Sequence, residues 1–286
     1  MLEAAGERAG VSTTDATLIR DGMNVLYRLA GGVVARIGPA GSHLVAERHL
    51  RASRWLADRG VPVVRTVDGV EQPTSVGGRP VTWWVRLPEH RPATPAELGA
   101  TLRRLHRLDL PEAGVFPTVD PLEGLRAALD GETLLAEGDR DLLRDLADRL
   151  RVEYRALAPH LPLRLIHGHP WQGNVVVPLG GGDPVLLDLD QMGVGPPEWD
   201  LVSLAVDHTD FARITDAEYR AFVAAYGGDD MTTWSGYRIL ATIRELRWAT
   251  FVLGKARASP EAAAEARHRV ACLTGKVERP WTWSTF

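Results

Sequence analysis

The chain has 286 residues, of which 45% are hydrophobic and 24% charged, and its formal net charge is -4. That composition is the ordinary soluble globular range, long enough for one domain in two lobes or for two small domains; it excludes disordered and collagen-like chains and gives no global attraction to nucleic acid or anionic membrane. The single cysteine, Cys272, rules out an internal disulfide and a cysteine-based zinc site, and reads as a buried core residue.

In chain order, the first fifteen residues hold no apolar secretory core, and no later stretch approaches the roughly 18 uncharged apolar residues of a membrane span, so a cytoplasmic protein is expected. Ala16 to Leu29 reads as two strands around the turn Asp21-Gly22-Met23-Asn24, and Val33 to Ile37 as a third strand, an antiparallel meander. Ser42 to Arg59 carries apolar or small residues at helical spacing, with Ser42 able to cap it and Gly60 where it stops. Val63 to Val67 and Val81 to Leu87 read as further strands separated by the turn-rich stretch around Pro73, Gly77 and Gly78.

After Pro88 the pattern turns helical, with Ala96–Leu108, Leu122–Leu129 and Leu142–Leu157 as expected helices. A β-rich island then interrupts it: Leu163–Ile166, Val175–Val177 and Val185–Leu189. Helices resume at Trp199. The expected fold class is therefore α+β, with one lobe at 1–87 built of antiparallel sheet and one helix, and a mainly helical lobe at 88–286.

The island carries the chemistry. Two short apolar strands bracket the polar run His167-Gly168-His169-Pro170-Trp171-Gln172-Gly173-Asn174, and the second strand leads into Asp188-Leu189-Asp190. A hairpin of this kind holds Asn174 at the start of one strand and Asp188 at the end of the next, so that both side chains can converge on one cation. Two oxygen donors completed by phosphate oxygens and water suit Mg²⁺. The loop before Asn174 is where a group meets an incoming hydroxyl, the arrangement used in phosphoryl transfer. Other phosphate motifs are missing: there is no G-x-x-x-x-G-K-[ST], and no G-x-G-x-x-G follows a strand. The remaining histidines lack zinc-site spacing.

The run His167 to Asn174 resembles the H-G-D-x-x-x-x-N catalytic loop of the aminoglycoside phosphotransferases and their relatives, the choline, homoserine and fructosamine kinases. Leu187-Asp188 stands where that family has its metal-binding aspartate, and Gly193 to Leu201 is similar to its G-x-G-x-x-x-x-D-[LI] continuation. The resemblance implies a kinase-like fold in two lobes, with Asn174 and Asp188 as catalytic and metal-holding residues. It makes Asp200 a structural acid bracing the loop. In the N-terminal half it implies nucleotide-binding roles for Asn24 in the turn after the first strand, for Arg36 on the third strand and for its helix partner Glu47. Mg²⁺ and ATP or GTP are the expected cofactors.

One position departs from the pattern, because the expected catalytic Asp is His169. Three readings stand: a working substitute that accepts or orients the hydroxyl, the mark of a lost activity, or an engineered change. In a loose transition state a base contributes only about 10²–10⁴-fold, so positioning and charge neutralisation dominate. If His169 acts as a neutral base, transfer declines as pH falls through the histidine's pKa, and a flat profile down to about pH 5 counts against it.

The leading expectation is a phosphotransferase acting on the hydroxyl of a small molecule such as a sugar or antibiotic. The alternatives are a catalytically impaired pseudokinase serving as a nucleotide-binding partner, and a subunit that phosphorylates Ser or Thr of a peptide, with the C-terminal helices and Trp281-Thr282-Trp283 as its docking surface. From Met231 onward nine basic residues face four acidic ones, a balance of +5, which favours a neutral or anionic acceptor over a polycation. No nucleic-acid or membrane partner is expected, and a protein partner is left open.

Overall fold

A computed structural model describes residues 1–286. Its elements are, in chain order, α1 (Leu2–Ala9), β1 (Thr17–Asp21), β2 (Val25–Leu29), β3 (Val33–Ile37), α2 (His43–Ala57), β4 (Thr74–Val76), β5 (Arg79–Val85), β6 (His90–Pro92), α3 (Pro95–His106), α4 (Leu125–Asp130), α5 (Glu137–Ala156), β7 (Arg164–Ile166), β8 (Val175–Pro178), β9 (Val185–Leu186), β10 (Gly193–Gly195), α6 (Glu198–Thr209), α7 (Asp216–Tyr226), α8 (Tyr237–Lys255) and α9 (Pro260–Leu273). They fall into two compact units: Met1–Thr94 with Gln172–Met192, and Pro95–Trp171 with Gly193–Phe286.

The first unit holds a five-stranded antiparallel sheet in the order β1-β2-β3-β5-β4 and a three-stranded sheet β6-β8-β9. Alternation puts Leu29, Ala35, Ile37, Val81 and Trp83 on the buried face, where they pack with Ala5 of α1. Trp83 is completely buried and donates its indole N–H to Thr74 Oγ1 at 3.2 Å, which satisfies its one polar atom. The unit is discontinuous because strand pairing brings a distant segment back: Arg91 of β6 pairs with Val177 of β8, and Val175 pairs with Leu186 of β9.

Two strand expectations are corrected. Val63–Val67 forms only isolated bridges, because the segment changes partner midway: Val64 N–H donates to Leu186, whereas Val67 N–H donates to Trp83. Neither ladder runs long enough to make a strand. The stretch Val185–Leu189 is extended only as far as Leu186; Asp188 takes a left-handed backbone (φ 54°) and starts a short 3₁₀ turn at Leu189–Gln191.

The second unit is mainly helical. Its core gathers Leu122, Leu125, Leu129, Leu143, Leu150, Trp199, Val202, Leu240, Ile243 and Leu246 from α4, α5, α6, α8 and the loop before α4. Helices α3 and α7 cross so closely that a Cβ on Gly99 would lie 2.5 Å from the Phe222 carbonyl oxygen, which explains glycine in mid-helix. Thr215 and Glu218 form a capping box that starts α7. Cys272 is buried as expected and accepts from the Trp283 indole at 3.3 Å. No helix is long and apolar enough to cross a membrane.

Candidate active site

In the first unit, the site is built on the end of the β8–β9 hairpin. Asn174 closes a 3₁₀ turn immediately before β8, and its carbonyl accepts from Leu187 N–H at 2.9 Å, so the backbone bond ties Asn174 to the residue before Asp188. Asn174 is buried and Asp188 exposed. Aspartate tolerates the left-handed region better than most residues, and here that conformation ends the strand and turns the carboxylate out of the ladder's alternation. A carboxamide oxygen and a carboxylate at one hairpin end form a hard-oxygen donor pair that fits Mg²⁺.

The rest of the polar cluster in this unit centres on Asp190. Arg36 of β3 donates to it through both guanidinium ends, Nη1 reaching Oδ1 at 3.0 Å and Nη2 engaging Oδ2. His49 of α2 lies with Nδ1 2.8 Å from Asp190 Oδ1 and against Arg36 Nη1, and its ring packs 4.4 Å from that of Trp84. Burial raises the Asp190 pKa, but the hydrogen bonds from His49 and Arg36 outweigh it and hold the carboxyl well below the usual range. Burial also lowers the His49 pKa, so that imidazole is neutral at pH 7.

The pairing expected between Arg36 and Glu47 is corrected. Glu47 is exposed on α2, and the face of that helix turned to Arg36 carries His49 instead. Asn24 sits at the end of the β1–β2 turn, half-buried, two residues before Leu26, which pairs with Arg36 across the sheet. The structure thus gathers Arg36, His49 and Asp190, ties Asn174 by a backbone bond to the residue before Asp188, and leaves Glu47 apart.

In the second unit, the run before Pro170 is held by Asp200 of α6. Its Oδ2 accepts from His167 N–H at 2.7 Å and its Oδ1 from Gly168 N–H at 2.8 Å, while His106 at the end of α3 donates Nε2–H at 3.0 Å. Gly168 has φ 85°, a backbone that lets consecutive N–H groups turn toward one carboxylate. The far nitrogen of His106 meets the Tyr226 hydroxyl at 2.9 Å. Burial pushes the Asp200 pKa up, yet the bonds from His106 and His167 prevail and keep it low, so Asp200 stays ionised as a structural acid.

Arg244 of α8 completes the brace. Its Nη1 donates to the Gly168 carbonyl at 3.2 Å, and its guanidinium lies 3.6 Å from the centre of the Trp199 ring. Burial brings its pKa down to about 9. His169, the next residue after Gly168, is half-buried, and its backbone N–H donates to His167 Nδ1 at 3.4 Å. Burial first, then the charges of Arg244, His167 and Arg247, lower the His169 pKa to about 3. The imidazole is therefore neutral throughout the range where an unperturbed histidine titrates.

The sequence pattern of the phosphotransferase enzyme family matches residues 16–240, well over half of the chain. The chain belongs to the phosphotransferase enzyme family. Solved structures agree on the fold of this phosphotransferase. A choline/ethanolamine kinase family protein from Mesorhizobium loti superposes with TM-score 0.68 at 23% identity, covering 97% of this chain and 95% of that one. The amicoumacin kinase hAmiN gives TM-score 0.71 at 15% identity over 99% and 94%. The aminoglycoside phosphotransferase APH(3'')-Id from Streptomyces rimosus gives 0.62 at 20% over 86% and 95%. No curated protein matches the sequence.

Four contributors to this phosphotransferase's polar clusters were missed by sequence reasoning: His49, His106, Asp190 and Arg244. Asp190 offered one signal, standing two residues after Asp188 in a D-x-D run. His49, His106 and Arg244 offered none, since helical histidines and arginines are ordinary until a fold brings a carboxylate or carbonyl to them.

Proposed function

We propose that the protein transfers the γ-phosphoryl group of a nucleoside triphosphate to a hydroxyl of a small molecule. The observation that carries this reading is the hairpin end where Asn174 is bonded through its carbonyl to Leu187, the residue before Asp188, together with the His167–Gly168 turn fastened by Asp200. Asn174 and Asp188 would hold Mg²⁺, which when bound neutralises phosphate charge. Arg36, kept in place by Asp190 and His49, supplies positive charge for the phosphates, and Asn24 lies on the turn toward the nucleotide. His169 receives the acceptor hydroxyl as a neutral ring that orients it. Relatives in the same fold support nucleotide and small-molecule chemistry: the amicoumacin kinase hAmiN was solved with AMP-PNP, Ca²⁺ and Ami, and the spectinomycin phosphotransferase APH(9)-Ia with ADP and spectinomycin.

A second reading, nucleotide binding without turnover, is favoured by one observation. A histidine whose pKa lies near 3 is a weak base, so proton removal from the acceptor gains little from it. Nucleotide-dependent thermal shift with and without Mg²⁺ tests binding, and His169→Asp separates the two readings. Phosphotransfer by the parent protein excludes the second; transfer gained only by the Asp variant excludes the first.

A further inference from the structure

The basic surplus of the C-terminal segment is unevenly matched. Arg238 and Arg279 are paired with Asp210 and Glu245, Arg269 with Glu265 and Lys276 with Asp139. Arg244 and Arg247 have no carboxylate within ion-pair distance. They stand three residues apart on α8, hence on one face of that helix. Arg244 is only 2% exposed, bonds carbonyl oxygens alone, and its Nε is buried with no partner. Arg247 is half-buried and spends Nη1 on the carbonyls of Pro121 and Glu123, at 3.2 and 3.0 Å.

Acidic groups lie near both arginines but are committed elsewhere. Asp200 is used by His106 and the loop amides, Asp207 by Arg213 at 2.7 Å, and Asp120 by Arg151 and the Leu122 amide. Glu123 is exposed and makes no ion pair with Arg247. Buried or half-buried guanidinium groups without a carboxylate are costly, and a planar fork of N–H donors matches a carboxylate or phosphate. Arg244 reaches the carbonyl of Gly168, the residue before His169, at 3.2 Å, and Arg247 stands one turn farther along the same face of α8, so this excess lies at the loop where the acceptor hydroxyl would be received.

Resting on the phosphotransferase reading, we infer that the acceptor is an anionic hydroxyl compound whose carboxylate or phosphate group docks on Arg247, with the free Nε and Nη2 edge of that guanidinium as its specificity determinant. A cationic acceptor would meet like charge at the same place, which costs affinity whatever its other contacts.

The test uses the full chain with ATP and Mg²⁺ and two matched acceptor series: glucose, gluconate, glucose 6-phosphate and glucosamine; then glycerol, glycerate, glycerol 3-phosphate and choline. The expected result is a kcat/KM at least about tenfold higher for an anionic member than for its neutral parent, with the carboxylate and phosphate arms showing which group is read. Arg247→Gln should collapse that ratio and Arg247→Lys should restore part of it, with thermal unfolding confirming that both variants fold. Equal or faster transfer to the neutral or cationic members overturns the inference and leaves the phosphotransferase reading intact. If nucleotide binds but no member is phosphorylated, saturation-transfer NMR with gluconate and glucose 6-phosphate decides: signal lost in Arg247→Gln supports the inference, and no signal in the parent overturns it. Failure to bind nucleotide at all removes the phosphotransferase reading, and this inference with it.

Discussion

Arg36 grips Asp190 through both ends of its guanidinium, with His49 closing the third side. The guanidinium on the central strand of the sheet is thereby held by a carboxylate 154 residues downstream, on the turn that follows Asp188. This pair fixes the side chain of Arg36 and the position of the Asp188–Asp190 segment at once.

Asp190→Asn should therefore loosen both, lowering stability by about 1–3 kcal/mol through the loss of a charged, partly buried partner. Nucleotide affinity should fall by roughly tenfold or more, since 1.4 kcal/mol of lost preorganisation is a factor of ten. Glu47→Gln is the control: an exposed side chain without an ion pair should change stability by under about 0.5 kcal/mol and the nucleotide Kd by less than about twofold. Urea titration and isothermal calorimetry read the two quantities, and equal effects of the two variants would contradict the assignment.

Asp200→Ala should be far more damaging, because it strands the amides of His167 and Gly168 and the imidazole of His106 in a buried site. A loss of about 3–5 kcal/mol is expected, enough to unfold a marginal domain at 37 °C. Asp200→Asn keeps an acceptor oxygen and should recover part of this, as measured by chemical denaturation.

Stability should fall on acidification from pH 7 toward pH 4. The folded pKa of His169 is about 3 and that of His49 is also lowered, so between each folded value and the unfolded value near 6.5 the unfolded chain binds more protons than the native one. Stability is thus fully present above about pH 6.5 and is lost progressively below it. His169→Asn should flatten the slope of Tm against pH across this interval, and an unchanged slope would show that His169 titrates alike in both states.

Gly99→Ala would place a methyl group 2.5 Å from the Phe222 carbonyl oxygen. Forcing α3 from α7 should cost about 1–3 kcal/mol despite alanine's better helix propensity. A rise in Tm would mean that the two helices can separate without penalty.

α1, β4, β6 and β10 had no signal in the sequence and Val63–Val67 forms only bridges, but β1, β2, β3 and β5, the helices α2 to α6, the hairpin carrying Asn174 and Asp188, and Asp200 as the brace of the loop were legible there. They depend on local periodicity, turn residues and the spacing of one compact motif, which a chain carries without folding. The partners of these residues were not legible. Arg36 finds Asp190 because the returning segment Gln172–Met192 pairs into the first unit. Asp200 finds His106 because α3, α6 and α7 converge on it, and His169 loses its basicity because burial and two α8 arginines surround it. Hydrogen-bond partnership and desolvation depend on distance in space, and for residues tens to hundreds of positions apart that distance is set only when the tertiary structure closes.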